Sequence, residues 1–339
     1  MASDKATEKA LEQTTAAADG FAPFVADIVG RVRIDRPDGF RLADHDPAGK
    51  LGLAIDKDAG RDMLSALVKE IARKQELLYA EGRHAVLVIL QAMDAGGKDG
   101  TIERVFSGIN PQGCQVHSFK TPGAEELAHD FLWRTTLRLP QRGHIGVFNR
   151  SYYEEVLVVR VHPDWLARQN LPVGEIGDAF WEGRFESIRA FERHLVRNGT
   201  RVLKFHLRLS PEEQRQRFLD RIRQPEKRWK FSLGDLAERE LWERYMHAYE
   251  AAIRATATPE APWHVIPADR KWLAATAVAG VLLDTLTRLD PTPPPIPPGE
   301  RDAFARAEQA LLAQAPKGAK NKGKNGNKNG GKSGSKNGG

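Results

Sequence analysis

The segment from Ala85 to Thr101 constrains this chain more than any other. Six apolar residues, Ala85-Val-Leu-Val-Ile-Leu90, run straight into Gln91-Ala-Met-Asp-Ala-Gly-Gly-Lys-Asp-Gly-Thr101. A short, branched apolar run reads as a buried strand, and the glycines after it read as a turn into a helix beginning near Gly100. Gly96, Gly97 and Gly100 let backbone N–H groups converge on an anion, the helix N-terminus adds partial positive charge, and Lys98 adds a full one. The pattern departs from the standard Walker A loop, G-x-x-x-x-G-K-[ST]: Ala92 stands at the first glycine, and Asp99 where a magnesium-binding hydroxyl is expected. A tight turn with no ligand is the plain alternative. One lysine and two aspartates, Asp94 and Asp99, in such a turn favour a phosphate cradle.

Around this unit the chain alternates strands and helices. Leu64, Leu67, Val68, Ile71 and Leu78 recur at helical spacing from Asp58 to about Gly82. Further strands are expected at Gln115–Phe119, His144–Phe148, Arg201–Leu209 and Trp263–Ile266. Helices are expected at Ala124–Leu137, Gly177–Arg197, Pro211–Ile222 and Asp235–Thr256. That order predicts an α/β fold in three layers, a parallel sheet with helices on both faces.

The ends differ from the middle. Residues 1–20 lack apolar periodicity and read as a mobile arm before a domain at 21–290. Asp290-Pro-Thr-Pro-Pro-Pro-Ile-Pro-Pro-Gly299 reads as a stiff linker, followed by a short helix at Arg301–Ala315, so that 291–316 forms a linker region. Residues 317–339 are Lys, Gly, Asn, Ser and one Ala and read as a disordered tail. The tail matters to the charge. The chain is +6 overall, but 317–339 hold seven lysines and no acids, which leaves 44 basic and 45 acidic residues elsewhere, a net of −1. Anion binding by the body must therefore come from local clusters. The longest unbroken apolar run is far too short to span a bilayer, no secretory signal is visible, and the single cysteine, Cys114, offers neither an internal disulfide nor zinc spacing. These features predict a cytoplasmic protein that needs no membrane.

Two more segments carry chemistry. Gly146-Val-Phe-Asn-Arg-Ser-Tyr-Tyr-Glu-Glu-Val156 puts Asn149 and Arg150 at a strand end beside the phosphate loop, where an arginine can grip phosphate oxygens bidentately. Glu154 and Glu155 are adjacent, so their side chains diverge and both are not expected to face one site. Asp220-Arg-Ile-Arg-Gln-Pro-Glu-Lys-Arg-Trp-Lys-Phe-Ser232 carries five basic residues against two acids. Pro225 breaks the preceding helix, and the cluster reads as a lid near 220–235 over a polyanion, or else as a solvated charged surface.

Together, Met93-Asp-Ala-Gly-Gly-Lys-Asp-Gly100, Phe148-Asn-Arg-Ser-Tyr-Tyr-Glu-Glu-Val156 and Pro225-Glu-Lys-Arg-Trp-Lys230 resemble the second polyphosphate kinase family, phosphate-loop kinases with a thymidylate-kinase-like core and helical lid. Gly199-Thr-Arg-Val-Leu-Lys-Phe-His206 and Trp263-His-Val-Ile-Pro-Ala-Asp-Arg270 also look like family segments. The resemblance implies transfer of the terminal phosphoryl group of inorganic polyphosphate to a nucleotide, with Mg²⁺ or alternatively Mn²⁺. It implies that Lys98 and the backbone of Gly96–Gly100 hold phosphates, that Asp94 binds metal or orients the acceptor, and that Arg150 clamps the transferred group. Lys227, Arg228 and Lys230 would form the lid, with Lys204 lining the donor path. Asp99, Thr101, Asn149, Arg208 and Arg223 would complete the phosphate- and nucleotide-binding set. The Asn149 and Glu154 form resembles the subgroup that accepts both AMP and ADP. A homodimer or homotetramer is implied, with no specific nucleic acid partner. The competing expectations are an ADP-only enzyme, an ATP-dependent small-molecule kinase, and a non-catalytic RNA- or polyanion-binding protein on a kinase scaffold.

Overall fold

A computed structural model of the chain describes residues 21–314 apart from 173, 175 and 298. The expected arm at 1–20 and tail at 317–339 lie outside the described residues. Two units are separated near Pro293. The larger runs in order through α1 (21–32), β1 (Arg33–Ile34), α2 (Lys57–Glu81), β2 (Ala85–Gln91), α3 (Lys98–Phe106) and β3 (Cys114–Ser118). It continues through α4 (Ala124–Leu127), α5 (Trp133–Thr136), β4 (Ile145–Asn149), α6 (Val158–Val161), α7 (Pro163–Ala167), α8 (Asp178–Arg197), β5 (Thr200–Arg208) and α9 (Pro211–Arg223). It closes with α10 (Gly234–Glu240), α11 (Trp242–Thr256), β6 (Trp263–Pro267) and α12 (Lys271–Leu289). The smaller unit contributes α13 (Arg301–Ala313).

The strands form one six-stranded sheet in the order β1-β6-β5-β2-β4-β3. All neighbours are parallel except β1 and β6, which run antiparallel. Every residue of β2 is buried, because alternate side chains enter two different cores. Val86, Val88 and Leu90 pack with α1, α2, α3 and α12, whereas Leu87 and Ile89 pack with Phe148, Tyr153, Trp263 and residues of α8 and α11. The result is the expected three-layer α/β architecture, with the sequence-expected strands in parallel and one short antiparallel edge added.

Local chemistry sets the element ends. Asp56 caps α2 by accepting from the N–H groups of Asp58 and Ala59, and Gly82 ends it in a left-handed turn at φ 65°. Ser210 caps α9, with Pro211 at its first position. The helix expected over 124–137 is instead two four-residue pieces. Between them Asp130 turns its carboxylate onto the N–H of Leu132 at 2.9 Å, a local bond that competes with the helical ladder. The helix expected over 235–256 is likewise two, joined at Leu241.

Helix α12 lacks the polar face that periodicity needs: Leu273 through Leu283 are all buried. It is long and apolar enough by composition to cross a membrane, but 67% of that apolar window is buried inside the fold. It is a core helix packed on α2 and α3.

Candidate active site

The parallel sheet brings the loop after β2 next to the turn after β4. Leu90 pairs with Asn149, so Asp94 and Arg150 emerge side by side at the carboxyl end of the sheet. Within the loop, the Gly96 N–H donates to the Met93 carbonyl at 2.9 Å and the Thr101 N–H to the Gly97 carbonyl at 2.9 Å, which begins α3. Ala95 and Gly97 take left-handed backbone, at φ 60° and 95°. Gly97 is the N-cap of α3 and has no side chain to satisfy the first N–H groups, which leaves them to an anion. Gly96 is required sterically, since a Cβ there would lie 2.5 Å from the Ala92 methyl and 2.7 Å from the Met93 carbonyl. Ala92 is itself buried in the core and the loop forms around its methyl.

Lys98 lies almost wholly inside, at 8% exposure. Its Nζ donates to the Ala92 carbonyl at 2.8 Å and reaches the Met93 carbonyl at 3.5 Å. Burial, with Arg150 adding repulsion, lowers its pKa to about 8. Arg150 sits at φ 66°, a strained setting for a side chain of its size. Its guanidinium donates to Asp94 Oδ1 at 2.7 Å and to Glu154 Oε2 at 3.1 Å. Glu154, ahead of Asp94, raises the Arg150 pKa, so the cation is permanent. Asn149 Nδ2 donates to Asp99 Oδ1 at 2.6 Å. Five expected residues, Asp94, Lys98, Asp99, Asn149 and Arg150, thus share one mouth with Gly96, Gly97, Gly100 and the buried Thr101 behind them. Glu155 turns away from Glu154, taking a 2.7 Å bond from Gln169 and lying 3.6 Å from Arg184.

The residues expected to form a lid are exposed and, among the described residues, bonded only locally. Lys227 donates to the Gln224 side chain, Arg228 to the Ile222 carbonyl at 2.8 Å, and Lys230 lies 5.0 Å from the Trp229 ring. Arg223 is exposed at the end of α9. Among the described residues none of these four cations pairs with a carboxylate, whereas Arg221 of the same segment lies 3.8 Å from Asp235; exposed, unpaired cations are what a polyanion-gripping surface needs.

Two expected residues stand elsewhere. Arg208 donates to the His45 carbonyl and borders a cleft of about 320 Å³ with Asp44, Asp46 and Val265. Lys204 is fully buried and does not line the mouth. Its Nζ donates to Glu192 Oε2 at 2.6 Å, the Thr256 carbonyl at 2.7 Å and the Tyr153 hydroxyl at 3.1 Å. The cause is register: Lys204 pairs with Ile89, well before the strand ends, and points into the core beneath the turn.

Three residues of the site have no sequence signal. Gln214 Nε2 donates to the Asp94 carbonyl at 2.9 Å, and the buried Arg217 donates to the carbonyls of Ala95 at 2.9 Å and Ala268 at 2.6 Å. Both tie α9 to the loop through its backbone carbonyls. Asp235 approaches from α10, its pKa raised by burial with Asp94 adding repulsion.

Comparison with known proteins agrees with this geometry. A family model described as polyphosphate kinase 2 matches residues 54–293. The chain is 54% identical over 257 residues to the ADP-polyphosphate phosphotransferase of Rhodopseudomonas palustris, covering 76% of this chain and 89% of that protein. It is 50% identical over 255 residues to the AMP/ADP-polyphosphate phosphotransferase of Meiothermus ruber, covering 75% and 91%. The crystal structure of polyphosphate kinase 2 from Arthrobacter aurescens TC1 matches with a TM-score of 0.75 at 40% identity, over 84% of this chain and 95% of that one. A phosphate loop with its lysine, an arginine-bearing turn in parallel register beside it and a family match across most of the chain lead to one conclusion: this chain belongs to the polyphosphate kinase 2 family.

Proposed function

We propose that the protein moves the terminal phosphoryl group of inorganic polyphosphate to AMP and to ADP, forming ADP and ATP. The observation that carries this reading is the convergence of Asp94, Lys98 and Arg150 on the open N-terminus of α3, with the exposed cations Lys227, Arg228 and Lys230 following α9. An acceptor phosphate oxygen attacks the terminal phosphorus, a new P–O bond forms, and the bond to the rest of the chain breaks. Polyphosphate leaves one unit shorter. A nucleotide phosphate has a second pKa of about 6 and is already largely dianionic, so no strong base is required. The protein must align two polyanions and offset their repulsion.

Lys98 would exchange its contacts with the Ala92 and Met93 carbonyls for phosphate oxygens, and the α3 N–H groups would hold the same anion. Arg150, kept charged by Glu154 and Asp94, would clamp the transferred group. Lys227, Arg228, Lys230 and Arg223 would cover the donor. Asp94 and Asp99 are hard oxygen donors of the kind Mg²⁺ takes in ones and twos beside substrate phosphates. Among the described residues no group of three or more His, Cys, Asp or Glu forms a cage, which accords with an ion that arrives with substrate. Mg²⁺ bound there would neutralise phosphate charge. Burial pushes the Cys114 thiol up to about 11, and we place the enzyme in the cytoplasm as a homo-oligomer.

The test incubates purified protein with Mg²⁺, polyphosphate and AMP and resolves nucleotides by ion exchange, with Lys98→Ala as control. ADP and ATP that appear only with polyphosphate and intact Lys98 are expected. Turnover of ADP alone would narrow the enzyme to diphosphates, and silence with both acceptors would overturn the assignment.

A further inference from the structure

On the basis of that phosphotransfer reading, we propose that the buried Lys204–Glu192 ion pair is a positioning device for Arg150, acting through the hydroxyls of Tyr152 and Tyr153. The pair lies in the core, with 0% of the Lys204 side chain and 2% of the Glu192 side chain exposed. Lys204 spends all three ammonium donors, on Glu192, Tyr153 and the Thr256 carbonyl. Glu192 Oε1 accepts from both tyrosines, at 2.9 Å from Tyr152 and 2.8 Å from Tyr153. The Tyr153 hydroxyl also lies 2.9 Å from Thr256 Oγ1, which takes the indole N–H of Trp263 at 2.9 Å. One network therefore ties α8, β5, β6 and the end of α11 to the two residues that follow Arg150-Ser151.

The turn needs such a hold. Arg150 is left-handed, and its own N–H reaches the Leu90 carbonyl at 3.1 Å. Ser151 Oγ accepts from Gln91 Nε2 at 3.2 Å and from the Tyr153 N–H at 3.1 Å. The tyrosine hydroxyls supply the remaining anchor. Fold stability alone gives little reason to keep ions here, because apolar replacement of a buried pair is often neutral or stabilising. An oriented carboxylate that fixes two phenols, and through them a strained arginine, gives a reason.

The experiment compares the wild type, Lys204→Met, the Lys204→Met/Glu192→Gln double variant, and Lys204→Met in an Arg150→Lys background, each shown folded by circular dichroism at the assay temperature. Lys204→Met should lower kcat by roughly 10–100-fold, the scale of an ångström-sized misplacement, with KM for polyphosphate nearly constant. The neutral double variant keeps an acceptor for the tyrosines and should regain kcat to within about 3-fold. In the Arg150→Lys background the Lys204→Met loss should shrink to under about 3-fold, since coupled residues are not additive. If Lys204→Met does not fold, Tyr153→Phe in both backgrounds replaces it with the same expected coupling. Wild-type kcat in the folded single variant, or an undiminished loss in the Arg150→Lys background, would overturn the proposal. A crystal structure of the double variant and of Lys204→Met or Tyr153→Phe reads the Arg150–Asp94 contact without reference to turnover. The contact should be lost in the single variant and kept in the double, so an inactive wild type would remove the phosphotransfer reading while leaving this inference to be judged by that contact.

Discussion

Lys98 and Lys204 are both buried, and they are buried in opposite ways. Lys98 at the mouth has neutral carbonyls as its hydrogen-bond partners, while Lys204 in the core has a carboxylate at 2.6 Å. Burial depresses the pKa of both, and at Lys204 the Glu192 charge works against it. A cation held only by carbonyls can give them up for phosphate without leaving a stranded anion. A cation held by a carboxylate cannot move without stranding one. The first arrangement suits a group that must exchange partners every turnover, the second a group that must never do so.

The sharpest way to break this contrast is to remove each charge in turn. Lys98→Ala and Asp94→Asn should each lower kcat/KM by about 10³-fold, as loss of a preorganised charge does, with an unchanged circular dichroism spectrum. Near-normal rates in either would end the comparison. Glu192→Ala should act on stability, costing about 3–5 kcal/mol by leaving the Lys204 ammonium unpaired in the core. Urea denaturation measures that directly.

A smaller effect concerns pH. The folded pKa of Lys98, about 8, lies below its ordinary value of 10.5, so the buried charge opposes folding at every pH below about 8. At 1.36 kcal/mol per unit, Lys98→Met should be more stable at pH 7 by up to about 3 kcal/mol. That advantage should fade between pH 8 and 10.5, as native Lys98 loses its proton while the unfolded chain keeps one. Over the same range kcat/KM of the wild type should fall as pH rises past about 8. A stability difference that stays flat to pH 10 would show that Lys98 is not the depressed cation described above. The smallest effect belongs to the basic segment after α9: Lys227→Ala should raise KM for polyphosphate only a few-fold, and the difference should vanish in high salt, because exposed charges are screened.

Much of the mouth was legible because its chemistry is contiguous in the chain. The strand, glycines, lysine and helix of 85–106 follow one another, and that order is what predicts an anion cradle. Asn149 and Arg150 were legible because parallel pairing returns a strand end to the same edge. Lys204 was not, since sequence places it in a strand but does not tell how far below the mouth it sits; only its register with Ile89 does. Gln214 and Arg217 touch residues more than a hundred positions away and carry no local mark of it. Helix α12 escaped because alanines and leucines surround it on every side, which removes the amphipathic stripe. The 124–137 segment reads as one helix until Asp130 is seen bonding its own neighbour.

Helix α9 has a mechanical consequence. Near its start Gln214 and Arg217 are fastened to the phosphate loop, and at Gln224 it passes directly into the basic segment. The ten steps of helical rise from Gln214 to Gln224 span about 15 Å, so the basic segment begins a fixed stride from the loop. Such a spar acts as a ruler. The loop and the basic segment are therefore kept at one spacing, set by the helix and not by what either end contacts.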